Sequence, residues 1–524
     1  MTDDHIDDHI DDPDLVGLRG RTRYGPRWRP VGQRMNDAAR AFYAGDIAGA
    51  EAILDEVLQA TDDNDDNDGG DGEALDLRAR ALANRAQMAG ARGDLTAALR
   101  YDEECLVLCA EVARGDDRFG VSDIRSSVLI NQAQTLQSLG RSEEALRVLD
   151  EVAAAGAAAD ANASLLSFLL HHTRAAALVV LARYAEAETE ARLALDVAMA
   201  SEPRLAAEAY ATLGTIAART GDDGSATEHL AVARDLHGLT GTAFDRADDE
   251  RQLGRLAAGA GRLDEAEERL ARAQAEYERA GRAVEVAECR MSRSVVAMRQ
   301  LRFPDAVDHV TAALDTLRET GAVQSLIECH LVHAQLTFVM TGNMADTEEA
   351  FLRGRELAVA GRVWHEVARI DYNRAQLSVD AAELTETGTR ADMHQRVLQL
   401  AVMAALAADG FRHRYSPGPI RERWARFVAV PARSLALRVA AALGLGELVF
   451  LLVEYFSAGT SLQAGTPDEL DLQRYPAPDL DSRLAPPPRL LLLPGDETVL
   501  DVLVAQVEQE YHLVLRSAEV VRAW

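Results

Sequence analysis

"LGRLAAGAGRLDEAEERLARAQAEYERAGRAVEVAECR", from Leu253 to Arg290, decides the fold. Its residues are strong helix formers, yet glycines interrupt them at Gly254, Gly261 and Gly281. The interruptions return one unit later. Residues 201–240, 241–280, 281–320, 321–360 and 361–400 superimpose without a gap until inside the fourth unit. Position 1 of each unit reads Ser201, Gly241, Gly281, Gly321 and Gly361, and position 7 reads Ala207, Ala247, Ala287, Ile327 and Val367. Similarity at a fixed period of this kind is the mark of stacked repeats.

Each unit has room for two helices of about four to five turns. A middle turn near position 21, at Gly221 and Gly261, joins them, and the glycine at position 1 closes the second helix without a Cβ clash. Position 14 is small (Gly214, Gly254, Ser294, Ala334), and so is position 26 (Ala226, Ala266, Ala306). A bulky side chain at either would hold the paired helices apart. One pair leaves an apolar face open, so neighbours must stack to complete a core.

"LGTIAARTGDDGSATEHLAVARDL" (Leu213–Leu236) and "LGRLAAGAGRLDEAEERLARAQAEY" (Leu253–Tyr277) resemble the tetratricopeptide repeat family, with its L-G, Ala, G-x-x-x-x-A and Ala spacing. The unit is longer than that family's 34 residues. The resemblance covers about 33–400 and implies an all-α superhelical solenoid that binds protein or peptide on its concave face.

Composition narrows the function. With 85 acidic against 55 basic side chains the formal charge is -30, which argues against broad contact with a nucleic-acid backbone. No apolar run reaches the length of a membrane span, so no membrane partner is expected. "LALRVAAALGLGELVFLLVEYF" carries Arg438, Glu447 and Glu454 and reads as two packed helices. Four cysteines lack a C-x-x-C pair and the N-terminus lacks a signal pattern, so a cytoplasmic location is expected.

The chain divides by texture into 1–30, acidic then Arg-rich and expected disordered; 31–200, irregular repeats with an acidic loop at 60–73; 201–400, regular repeats; 401–460, capping helices; and 461–524, a Pro-rich tail with a short strand at "RLLLLPG" and a terminal helix. The loop's Asn64, Asp66, Asp68 and Gly69 fit a calcium loop, but Leu75 stands where its bidentate Glu is required. "RHRYSPGPIRERWAR", "LGLGELVFLLVEY" and "RLAPPPRLLLLPG" resemble the region of actinobacterial proteins that joins such repeats to a caspase-like CHAT protease. No cysteine follows Cys329, so that machinery is not expected here. The resemblance implies an adaptor or sensor for a separately encoded protease of that class.

No chemistry-bearing motif emerges: no phosphate loop, H-E-x-x-H or G-x-S-x-G, and no cofactor or metal is expected. "ECHLVH" spaces Cys329 and His333 by one helical turn, and Cys289 occupies the matching position one unit earlier. Buried thiols between repeats explain both more simply than a metal does. A non-enzymatic scaffold or adaptor is therefore expected, with Arg251, Arg290, Arg293, His330, His333, Arg369 and Asn373 as candidates for the concave face. The alternative is a regulator whose solenoid changes curvature when a ligand or peptide binds.

Overall fold

The computed structural model describes residues 24–43, 46–62, 72–115, 121–155, 163–201, 203–240, 243–415, 419–461 and 497–515. The acidic N-terminus, the Asn64 loop, Gly241 and "RLLLLPG" lie outside these residues. Within them the fold is an all-α repeat solenoid without a β-strand. It divides into two compact units, Met1–Leu336 and Thr337–Trp524.

Unit 1 is built from antiparallel pairs. They are α1 (Arg29–Tyr43) with α2 (Ile47–Asp62), α3 (Gly72–Arg92) with α4 (Leu95–Gly115), and α5 (Val121–Ser138) with α6 (Ser142–Ala155). Next come α7 (Ala163–Val180) with α8 (Tyr184–Ser201), and α9 (Ala206–Arg219) with α10 (Asp223–Thr240). The pairs α11 (Ala243–Gly259) with α12 (Leu263–Arg279) and α13 (Ala283–Arg299) with α14 (Phe303–Thr320) follow. Then α15 (Val323–Thr341) begins. From the Arg-rich N-terminal stretch, Tyr24 and Trp28 are buried in the first core, where the Tyr24 hydroxyl donates to Asp76 Oδ2 at 2.5 Å.

The small positions set the spacing within a pair. A Cβ at Gly214 would lie 2.7 Å from Leu230 Cγ, and one at Gly254 would lie 2.9 Å from Leu270 Cγ. At Ser294 the hydroxyl uses the closeness instead, donating to the carbonyl of Ala306 at 2.8 Å. Ala226, Ala266 and Ala306 are fully buried opposite them.

The junctions repeat one device. At Gly281 (φ 66°) the Gly281 N–H donates to Glu278 O and the Arg282 N–H donates to Tyr277 O, a Schellman cap with its left-handed residue. Left-handed residues fall at 221, 261 and 301 within pairs and at 281 and 321 between them. After that the series slips by one, to Gly342 and Arg362, while Gly361 stays right-handed at φ -78°. The gap inside the fourth unit is thus one extra residue before its middle turn. Leu301 (φ 61°) and Arg362 (φ 56°) hold this conformation without being glycine.

Unit 1 coils tightly enough for successive turns to touch. Gly93, between α3 and α4, abuts Thr320 and Val284 of the α13–α14 pair, and Gly140, between α5 and α6, abuts Val323 of α15. The first helices α7, α9, α11 and α13, with α15, line a lumen.

Unit 2 contains α16 (Met344–Ala360), α17 (Trp364–Glu383) and α18 (Thr387–Arg412). After these come α19 (Pro419–Trp424), a π-helical turn (Ala425–Ala429), α20 (Val430–Ala442), α21 (Gly446–Ser461) and α22 (Val499–Glu510). The 401–411 stretch of α18 is buried on every face because α17, α20 and α22 all pack on it. A capping box between Thr498 and Asp501 starts α22, and the Tyr511 hydroxyl just beyond it donates to buried Asp371 at 2.8 Å.

Candidate functional site: the lumen of unit 1

The lumen holds two cavities of about 390 Å³ each. They adjoin at Thr215, which lines both. Their walls come mainly from α7, α9, α11, α13 and α15, with Asp223, Leu230 and His237 of α10, so the repeat register fixes which residues line them. Position 8 is acidic in four consecutive units: Glu208, Asp248, Glu288 and Glu328. All four line the cavities. Residues three to four and seven further along share that helix face, which places Thr212, Thr215, Arg251, Gln252, Arg255 and Met291 beside the acids.

The chain contains no lysine, so arginine supplies its permanently charged side chains. Arg251 is shared by two rungs of the ladder, at 2.5 Å from Asp248 and 2.5 Å from Glu288. Glu288 also accepts from the Ser325 hydroxyl at 2.6 Å, and Asp248 accepts from the Tyr277 hydroxyl at 3.1 Å. Burial raises the pKa of Asp248, but the adjacent Arg251 guanidinium more than reverses this and leaves it below the usual range. Arg219, at the end of α9, donates to Glu328 on α15 at 2.7 Å. That bond ties helices 109 residues apart.

The two ends of the lumen differ. At the α7–α9 end, Glu208 makes no side-chain hydrogen bond or ion pair among the described residues. Burial holds its pKa above the usual range, and Asp245 and Asp248 add to this against the opposing His172 and His237. His172 is stacked on Phe168 and lies 3.2 Å from the Thr212 hydroxyl, and His237 is 2.7 Å from Asp249. At the other end, Arg255 makes no hydrogen bond among the described residues and lies 3.8 Å from Glu328. Burial lowers its pKa, and neighbouring Arg219 and Arg251 add to that, against the pull of Glu328.

The residues expected on the concave face are dispersed. Arg251 lines the lumen. Arg293 turns toward α12, where it donates to Glu267 at 2.6 Å and Gln274 at 2.9 Å, and Arg290 lies 3.4 Å from Glu278. His330 is buried and His333 half-buried on α15. Arg369 and Asn373 belong to unit 2, where Arg369 donates to Glu366 and its carbonyl accepts from Asn373. Cys289 and Cys329 are fully buried, and Cys289 packs against Tyr277. Among the described residues no group of three or more His, Cys, Asp or Glu side chains is arranged to hold a metal.

The sequence reading missed Glu208, Glu288, Glu328, Arg219 and Arg255. The acid at position 8 of four successive units was a visible signal for three of them. Nothing local marks Arg219, whose partner is brought to it only by the curvature of the solenoid.

No protein-family profile matches the chain, and no curated protein matches it in sequence. Solved structures align with it. A Rap protein complexed with competence and sporulation factor aligns at 13% identity over 72% of this chain and 98% of that one, with a TM-score of 0.51. The apo form of the quorum sensor NprR from B. thuringiensis aligns at 12% identity over 71% and 99%, with a TM-score of 0.42. Aspartyl phosphate phosphatase F from Bacillus subtilis aligns at 12% identity over 69% and 92%, with a TM-score of 0.35. The first likeness places this chain among tetratricopeptide-like helical solenoids. No helix of the described residues is long and apolar enough to cross a membrane.

Proposed function

We propose that this chain is a non-enzymatic adaptor or sensor that takes an extended peptide, or a segment of a protein, into the lumen of unit 1. The observation that carries the reading is the continuity of the two cavities, lined by polar side chains from five successive inner helices. Such a surface suits backbone and side-chain contacts spread along an extended chain. A Rap protein has been crystallised with competence and sporulation factor, and a ligand of comparable kind suits a lumen of this size.

Ala211 and Ala218 line the two cavities, so A211W and A218W each fill one with an indole. Peptides selected on the intact chain from a random displayed library should lose at least tenfold in affinity for both variants. Retained affinity in both, with unchanged helicity, would sink the proposal.

Arg219–Glu328 supports a second reading, in which the ligand alters curvature. A bond between α9 and α15 holds the coil closed, and a ligand competing for either partner would relax it. Small-angle scattering with and without a selected peptide tests this, and an unchanged radius of gyration would count against it. The partner beyond the peptide is proposed from sequence resemblance alone, as a separately encoded caspase-like protease. Co-purification of the two chains expressed together tests that assignment, and their separation on a sizing column would reject it.

A further inference from the structure

Unit 2 gathers three arginines around one carboxylate. Asp409, Arg412 and His413 stand three and four residues apart at the end of α18, so their side chains share one face. Arg421 comes to that face from α19 and Arg433 from α20. Asp409 is buried, and its Oδ1 accepts from Arg433 and lies 3.2 Å from Arg412 Nη2. No other carboxylate of the described residues pairs with any of the three guanidiniums, which leaves an excess of two positive charges. The carbonyl end of α18 favours a cation in this turn, but it does not balance three. Half-buried charges of this kind are costly unless paired.

The donors of the cluster are also unevenly used. Nε of Arg412 and Nε of Arg433 are buried and make no hydrogen bond among the described residues, and Arg412 as a whole is 5% exposed. His413 has Arg412 Nη2 at 3.3 Å from its Nε2 and Arg421 Nη2 at 3.1 Å from its Nδ1. Burial, with Arg412 and Arg421 beside it, lowers the His413 pKa and keeps the ring neutral. A neutral imidazole has one lone pair, so it can accept from only one of these guanidiniums. The Tyr455 hydroxyl on α21 lies beside Arg412 and Arg433 and makes no hydrogen bond among the described residues. Burial and the neighbouring Glu508 push its pKa up to about 12, so it stays a donor. Glu508 accepts from the Leu515 N–H at 2.9 Å.

We propose that this cluster binds a phosphate group, which enters over the exposed edge of His413 and is held by Arg412, Arg421 and Arg433. A dianion matches the excess of two charges. Tetrahedral phosphate oxygens suit donors that arrive from three helices, whereas a carboxylate offers two oxygens in one plane. The Phe456 ring, 4.8 Å from the Arg433 guanidinium carbon, orients one of the forks.

Isothermal titration of the full chain at fixed ionic strength, in a phosphate-free buffer, tests this with three probes: inorganic phosphate, acetate and a doubly capped phosphoserine pentapeptide. Inorganic phosphate should bind saturably and about tenfold or more tighter than acetate. R421Q leaves the buried Asp409 pairs intact and should weaken phosphate about tenfold. R412Q should weaken it at least as much, with R412K in its place if the glutamine variant does not fold. R426Q removes an arginine that lies over Phe427 instead, and should leave the affinity unchanged. Whichever phosphate probe binds tighter in an Arg421-dependent way identifies the source, a phosphorylated side chain or a free small phosphate. Phosphate binding no tighter than acetate would overturn the site. So would equal losses in R421Q and R426Q, or no saturable binding of either phosphate probe at millimolar concentration.

Discussion

Replacing Gly214 with alanine perturbs the feature on which the paired helices depend. Alanine inside a helix is intrinsically better than glycine by about 0.5–1 kcal/mol. The added methyl at 214 would lie 2.7 Å from Leu230 Cγ, 3.1 Å from Leu230 Cδ2 and 3.3 Å from the carbonyl oxygen of Ala226. Leu230 is 1% exposed and must shift to admit the methyl. Overpacking at such a contact costs about 1–3 kcal/mol, and the net loss should be roughly 0.5–2 kcal/mol. Gly238 supplies the opposite case. It sits in α10 with no heavy atom within 4 Å of an added Cβ, so G238A should gain about 0.5–1 kcal/mol. Native-state hydrogen exchange, run where it follows the opening equilibrium, reads both changes in α9 and α10. At about 1.4 kcal/mol per factor of ten, G214A should speed exchange roughly 2- to 30-fold and G238A should slow it roughly 2- to 5-fold. Protection by G214A equal to that from G238A would refute the close-approach argument.

Three further outcomes follow from buried or strained groups. Asp102 on α4 is 1% exposed and neither carboxylate oxygen has a hydrogen-bond partner among the described residues; burial, with Glu103 beside it, pushes its pKa up to about 8. A raised folded pKa contributes stability that is complete below the ordinary carboxylate range and is lost as pH rises through about 8. The stability of D102N, measured by denaturant titration, should therefore fall less between pH 4 and 8.5 than the parent's, by on the order of a few kcal/mol, and parallel profiles would contradict this. His237 and Asp249 form a buried pair at 2.7 Å; burial lowers the His237 pKa, but its bond to Asp249 and nearby Asp245 and Glu208 leave it raised. Its contribution is thus complete below about pH 6.5 and fades above, so the opening equilibrium of α10 and α11, read from exchange after correction for the base-catalysed intrinsic rate, should rise toward pH 8.5 more in the parent than in H237F. An opening equilibrium equally pH-dependent in both would refute that assignment. Leu301 is 73% exposed at φ 61°, and L301G should raise Tm by removing about 1 kcal/mol of left-handed strain, whereas a lowered Tm would disprove the strain.

The repeat register was legible because it is local. Glycine at 281 and 321, small residues at 214, 254 and 294, and alanine at 226, 266 and 306 each answer to neighbours within one unit. The slip at Gly342 and Arg362 was visible only as a gap, since either side of an extra residue reads as good helix. The lumen was harder to see. Glu208, Asp248, Glu288 and Glu328 look like ordinary solvated acids in a chain of net charge -30. They gain meaning only when the inner face is known. Arg219 and Glu328 meet because unit 1 coils, and curvature is the sum of many small packing angles that no single residue encodes. Arg293 illustrates the converse, since a first-helix arginine suited to the concave face reaches sideways to Glu267 and Gln274.

The central claim is that ligand enters the lumen of unit 1. A photo-activatable benzophenone side chain placed at Gln252, on the cavity wall, tests it against the same group at Glu268, whose side chain is 71% exposed on α12. Irradiation with a library-selected peptide, followed by mass spectrometry of the adduct, should give a cross-link from position 252 and none from 268. Cross-linking from 268 alone would place the ligand outside the lumen and contradict the account.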